Sequence, residues 1–183
     1  MLLSRRHLEA VERLAASRTF RLDTKRQILP DPNTTTMFEI EQRLEGKGIL
    51  RRDIVAAAME LYIPHGIDED EAARRLDAKI GQALDDPNVS SLLLGALLLE
   101  DELYTKRENS EIADDPVFLL SDEIIGMAIA EVIGGTYARF EFTRYDQKKP
   151  GVLKELGPFL DDAVAGLIAG CTSRLYSESM GSV

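Results

Sequence analysis

The stretch Phe159-Leu160-Asp161-Asp162-Ala163-Val164-Ala165-Gly166-Leu167-Ile168-Ala169-Gly170-Cys171-Thr172-Ser173 decides the fold. After Phe159-Leu160 it has two acids and then carries no charge from Ala163 to Ser173. Asp162, Gly166 and Gly170 recur at steps of four, so on an α-helix they stand one above another on one face. Two glycines on that face let a neighbouring backbone come close. The face therefore turns inward and takes Asp162 with it. A buried carboxylate needs a partner, because isolating its charge is costly.

Asp122-Glu123 opens a second helix of the same kind, uncharged from Ile124 to Ala130, with Gly126 three residues after Glu123. Acids in a first helical turn also favour the N-terminal dipole, so for either pair the reading as plain helix caps stays open. Two acid pairs on two close-packed helices can face each other across a small gap. Lined only by oxygen, such a gap suits Mg²⁺ or Mn²⁺. A third acidic spot, Glu100-Asp101-Glu102, ends a leucine-rich helix. Between the two acid helices stand Asp146, Lys148, Lys149 and Pro150. Lysine binds phosphate as a point charge, and a carboxylate three residues before it can hold the lysine or a metal.

Outward from these helices the pattern stays helical. Leu8, Val11, Leu14 and Ala15 share a face, and residues 18–36 read as an irregular loop around Pro30 and Pro32. Thr36 is placed to cap a helix from Met37 to about Glu45, ended by Gly46 and Gly48. Further helices are expected over Ile54 to Tyr62, from an Asp68 cap through about Leu84, and from Asp86-Pro87 onward. The last of these carries the Leu92 to Leu99 run and is expected to be buried on most sides. After a polar stretch from Thr105 to Pro116, Ser121 is placed to cap a helix through about Ala138. Residues 139–158 read as loop with one helical turn at most, the last helix as Phe159 to Tyr176, and the tail from Ser177 as frayed. The fold class is all-α: a single domain over 1–183, a multi-helical bundle of about six to eight helices.

Composition excludes several roles. The chain has 183 residues, enough for one real core, and its net charge of -10 repels phosphate backbones and anionic membranes. Nucleic acid is therefore not an expected partner. The single cysteine, Cys171, allows no internal disulfide and no cysteine-based zinc site. No apolar run approaches the roughly 20 residues of a membrane span. The opening Met1-Leu2-Leu3-Ser4-Arg5-Arg6 has no apolar run behind it and does not resemble a signal peptide. The expected location is the cytoplasm, with self-association into a homo-oligomer left open.

Ser121-Asp122-Glu123-Ile124-Ile125-Gly126, Tyr145-Asp146-Gln147-Lys148-Lys149-Pro150 and Phe159-Leu160-Asp161-Asp162-Ala163-Val164-Ala165-Gly166 resemble, in order and spacing, three successive motifs of the phosphatidylglycerophosphatase A family. Asp115-Pro116 is similar to the Asp-Pro before the first motif, and the resemblance spans about residues 114–176. It implies a Mg²⁺- or Mn²⁺-dependent phosphatase, with Asp122, Glu123, Asp161 and Asp162 as metal ligands and Asp146, Lys149 and Asp162 as catalytic residues. Lys148, His65 and Glu100 are candidate substrate contacts, Glu100 also as a further member of the carboxylate cluster. The nucleophile is either a water activated at the metal or an aspartate attacking phosphorus.

The chain lacks the glycine- and proline-rich N-terminal loop and the spanning helices of the family's membrane enzymes. It is more similar to the soluble branch, which includes archaeal phosphatases of α-ribazole 5′-phosphate in cobamide synthesis. Glu60-Leu61-Tyr62-Ile63-Pro64-His65 and the helix ending in Glu100 resemble their N-terminal half. The implied substrate is a small phosphate monoester, α-ribazole 5′-phosphate. Such a nucleoside-like substrate demands an apolar slot beside the phosphate site, with Tyr62, Ile63 and the Leu92 to Leu99 helix as candidates and Tyr104 after them. The alternatives are phosphatidylglycerophosphate in lipid synthesis, or a non-catalytic helical adaptor that keeps the acid pairs as caps.

Overall fold

The helix that begins at Pro158 is the central element of the described residues. A computed structural model of the chain describes residues 38–105 and 119–180. The expectations for the N-terminal segment and for Asp115-Pro116 lie outside those residues, as does the side chain of Tyr104. Seven α-helices are described: α1 (Ile40–Gly46), α2 (Arg51–Glu60), α3 (Glu69–Asp85), α4 (Pro87–Thr105), α5 (Ser121–Gly134), α6 (Ala138–Lys148) and α7 (Pro158–Met180). A 3₁₀ turn, Gly151–Glu155, links the last two. There is no strand among the described residues, so the class is all-α. All of these helices lie within one compact unit, Thr35–Val183.

α7 is buried on every side from Pro158 to Ser173. A helix that is apolar all round has to be surrounded. It packs most extensively on α5, and then on α6, α4 and α3. Proline at its first position supplies a helical φ and lacks the N–H that would go unpaired there. The glycine faces bring α5 and α7 together. A methyl group on Gly126 would stand 2.6 Å from the Asp162 carbonyl oxygen, and one on Gly134 would stand 2.7 Å from that of Gly170. Gly166 in turn lies directly against the Gly126 backbone. Because Gly126 meets Asp162 and Gly166 while Gly134 meets Gly170, the two helices run in the same direction. Their acid-bearing N-termini therefore lie at the same end.

The caps at Asp68 and Asp86 form where expected. Asp68 accepts from Glu71 N–H at 2.9 Å, and Asp86 accepts from Asn88 N–H at 2.7 Å.

Several boundaries differ from expectation. Residues 139–158 are not mainly loop. They include α6, whose Ala138, Phe142 and Tyr145 are buried at helical spacing. Gly135, at φ 77°, ends α5 before Ala138 and permits this new start. Leu120 rather than Ser121 occupies the cap of α5, with no side-chain hydrogen bond. α1 is capped by Glu39 in a left-handed conformation rather than from Thr36. α7 continues through the supposed frayed tail to Met180, where Ser177 and Ser179 bond back to the carbonyls of Ser173 and Tyr176. The leucine run of α4 is covered less than expected: Leu93, Ala96 and Leu97 are buried, but Leu98 and Leu99 are 58% and 42% exposed.

Candidate metal and phosphate site

Asp122 and Glu123 sit in the first turn of α5, and Asp162 sits in the second turn of α7. The close glycine contact between these helices brings the three carboxylates together: one oxygen from each lies within 4.8 Å of the others. Asp122 and Asp162 are buried and Glu123 is half-buried. Asp122 Oδ1 also accepts from Glu123 N–H at 3.0 Å, so it serves as a helix-end acceptor as well.

α6 supplies the opposite charge. Its last turn holds Asp146, whose charge acts on the buried Asp162 carboxyl. Lys149 follows as the C-terminal cap at φ 42°, a left-handed conformation unusual for a side chain of its size. Pro150 prevents the helix from continuing past this point. The turn aims the Lys149 ammonium back at the acids: it is ion-paired with Asp161 and stands 3.8 Å from Asp146. Tyr145 anchors the segment from behind, its buried hydroxyl donating to the Ala58 carbonyl at 2.9 Å.

The electrostatics follow from burial and crowding. Burial, together with Glu123 beside it, pushes the Asp122 carboxyl up to about 7. Burial and then the charges of Asp161 and Asp146 push Asp162 up to about 9, with Lys149 acting against them. Burial depresses the Lys149 ammonium, but Asp161, Asp162 and Asp146 outweigh it and raise it overall. Glu123 Oε2 is buried without a hydrogen-bond partner. A buried orphan oxygen, two carboxyls made hard to ionise and an oxygen-only donor set fit a hard divalent cation. Asp122, Glu123 and Asp162 would hold it.

These shifts set a stability trend for the metal-free protein. Both carboxyls rise from 3.8 in the unfolded chain to about 7 and about 9 in the folded one. Between those values the native state binds more protons than the unfolded state, so stability falls as pH rises. Thermal unfolding in EDTA should show Tm declining from near pH 4 toward pH 9, less steeply in Asp162→Asn. A Tm that rises through that window contradicts the buried, repelling cluster.

The other candidate residues are placed as follows. Asp161 is held by Lys149 and is not in the three-carboxylate cluster. Lys148 is exposed. Glu100 is buried at the start of α7, where Oε2 accepts from Phe159 N–H at 3.1 Å. His65 does not approach the cluster. Its ring stacks on Tyr176 at 4.3 Å, and Tyr176 is roughly 21 Å along α7 from Asp162 by helical rise. Tyr62 stacks on the same Tyr176, and Ile63 N–H donates to the Tyr176 hydroxyl. The slot expected from Tyr62 and Ile63 is therefore not beside the carboxylate cluster.

Fold and site together define an all-helical protein with a buried acidic cluster facing a lysine. The family model of phosphatidylglycerophosphatase A matches residues 46–177, well beyond the three motifs toward the N-terminus, and the chain belongs to that family. It is a family of phosphatases, metal-dependent in general. An uncharacterised protein of Methanocaldococcus jannaschii is 43% identical over 124 residues, covering 66% of this chain and 98% of that one. The fold is similar to the ypjQ protein of Bacillus subtilis, with TM-score 0.65, 23% identity and coverage of 79% of this chain and 95% of the other. It is similar in the same way to the low temperature requirement C protein of Listeria monocytogenes, with TM-score 0.64, 24% identity and coverage of 76% and 94%.

Proposed function

We propose that the chain is a cytoplasmic, metal-dependent phosphomonoester hydrolase acting on a small phosphate ester. The observation that carries this reading is the joint placement of Asp122, Glu123 and Asp162 with Lys149 and Asp146 at one end of the α5–α7 pair. Mg²⁺ or Mn²⁺ bound there would supply positive charge against the phosphoryl oxygens, whose charge must be strongly stabilised in so slow a reaction. Lys149 is the chain's own cation for the same task, oriented by Asp161 and Asp146. Asp146, whose charge acts on Asp162 and which stands 3.8 Å from Lys149, would accept or hold a proton at its carboxyl oxygen. The parallel N-termini of α5 and α7 add partial positive charge on the same side.

For substrate, the N-terminal resemblance supports α-ribazole 5′-phosphate. A specific observation favours a second reading, phosphatidylglycerophosphate. Leu98 and Leu99, and Leu120 and Ile124 at 63% and 59% exposed, lie within about a helical turn of Glu100 and of the Asp122-Glu123 pair. An enzyme working at a lipid surface would use such side chains. No described helix is long and apolar enough to cross a membrane.

The test is phosphate release from α-ribazole 5′-phosphate, nucleotide and sugar phosphates, and phosphatidylglycerophosphate in detergent, each with Mg²⁺, Mn²⁺ or EDTA. The expected result is release that needs metal, with the highest kcat/KM for α-ribazole 5′-phosphate. A preference of tenfold or more for the lipid, about 1.4 kcal/mol in transition-state binding, moves the assignment to the second reading. No metal binding and no release from any ester leaves the helical adaptor.

A further inference from the structure

Glu100 is 1% exposed, at the end of the helix that carries the leucine run. It reaches across 59 residues of sequence to the first available donor of α7, Phe159 N–H, at 3.1 Å. The next two donors, Leu160 and Asp161 N–H, bond to the Gly157 carbonyl at 3.1 and 2.9 Å. The space for the Glu100 carboxylate exists because residue 157 is glycine; a methyl group there would overlap Glu100 Oε1. The first turn of α7 is thus fixed from outside by one carboxylate, and the acids that hold Lys149 and complete the cluster follow it directly.

We propose that Glu100 is a positioning residue for the metal cluster: its hydrogen bond to Phe159 N–H sets the first turn of α7 and with it the direction of the Asp162 carboxylate. This rests on the metal-dependent reading above. α7 could otherwise fray or rotate at its start, where the helix leaves N–H groups unpaired. A small rotation there would swing Asp162 away from Asp122 and Glu123, which belong to a different helix. Partners that orient metal ligands matter to affinity about tenfold to 100-fold.

Two substitutions separate reach from charge. Glu100→Gln keeps the length and an acceptor oxygen but loses the charge. Glu100→Asp keeps the charge and falls one methylene short. Mn²⁺ affinity of each full-length variant is measured by titration calorimetry, with far-ultraviolet circular dichroism as the check on folding. The expected result is that Gln stays within about threefold of wild type and Asp weakens binding about tenfold or more at unchanged helix content. A tenfold loss in Gln overturns the proposal, because charge or direct ligation is then what matters, and that arm decides even if the Asp variant does not fold. Wild-type affinity in a folded Asp variant overturns it too, since the cap is then only structural. Absence of Mn²⁺ binding in wild type takes down the metal-dependent reading and this one with it.

Discussion

Asp162→Asn is expected to lower metal-dependent phosphate release by about 100-fold or more while raising the stability of the metal-free protein. Both effects have one cause. Asp162 is buried among Asp122, Glu123, Asp146 and Asp161, and its carboxyl is pushed up to about 9 because ionising it there is unfavourable. A divalent cation bound there would turn that crowding of oxygens into ligation. With the cation removed, it is repulsion and desolvation. The amide keeps the size of the side chain and removes the charge, so the apo fold relaxes as the site fails. Opposite signs for activity and apo stability are what a helix cap does not give: losing a cap costs stability and leaves activity alone. The measurements are kcat/KM with saturating Mg²⁺, and urea unfolding in EDTA. Unchanged turnover would show that the acids are structural only.

The parts of the molecule legible in the sequence are those where one helix face declares itself. A charge-free run from Ala163 to Ser173 has nowhere to go but the core, and α7 is buried through that length. The two glycine ladders announce close packing without help from other elements, and α5 and α7 meet there. α6 is different. Its sequence, Ala-Arg-Phe-Glu-Phe-Thr-Arg-Tyr-Asp-Gln-Lys, is mostly polar, and only three positions turn inward. Its helicity comes from packing on α7 and α5, which sequence does not display. The partner of each aspartate was equally hidden. Asp161 and Asp162 are neighbours, about 100° apart around the helix, and which one meets Lys149 depends on how α6 ends. The left-handed turn at Lys149 decides that, giving the lysine to Asp161 and leaving Asp162 for the cluster. The places of His65 and Tyr62 are hidden for a related reason. A turn motif shows that a side chain is presented, but only the tertiary fold shows that it lies against Tyr176, far along the helix from the acids.

Gly166→Ala is expected to destabilise the protein by about 2 kcal/mol or more, roughly 5 °C in Tm, and to weaken Mn²⁺ binding at the same time. In an ordinary helix the same change stabilises by about 1 kcal/mol, because glycine is the poorer helix former. The sign reverses here because the new methyl would meet the Gly126 carbonyl and Cα on the facing helix. That obstacle is backbone within a helix, so no rotamer change can clear it. The helices must separate by a fraction of an ångström or tilt, and either motion opens gaps in a core packed to crystal density. It also moves Asp122 and Glu123 relative to Asp162, since the cluster is split between these two helices. Loss of metal affinity therefore accompanies loss of stability, although residue 166 carries no polar side chain. Gly95, midway along α4, is the control: a methyl there meets nothing within 4 Å. Gly95→Ala should stabilise by about 0.5–1 kcal/mol and leave Mn²⁺ affinity as in wild type. Thermal unfolding and Mn²⁺ titration of both variants provide the comparison. If Gly166→Ala behaves like Gly95→Ala, the backbone contact between α5 and α7 is not what holds the carboxylates in register.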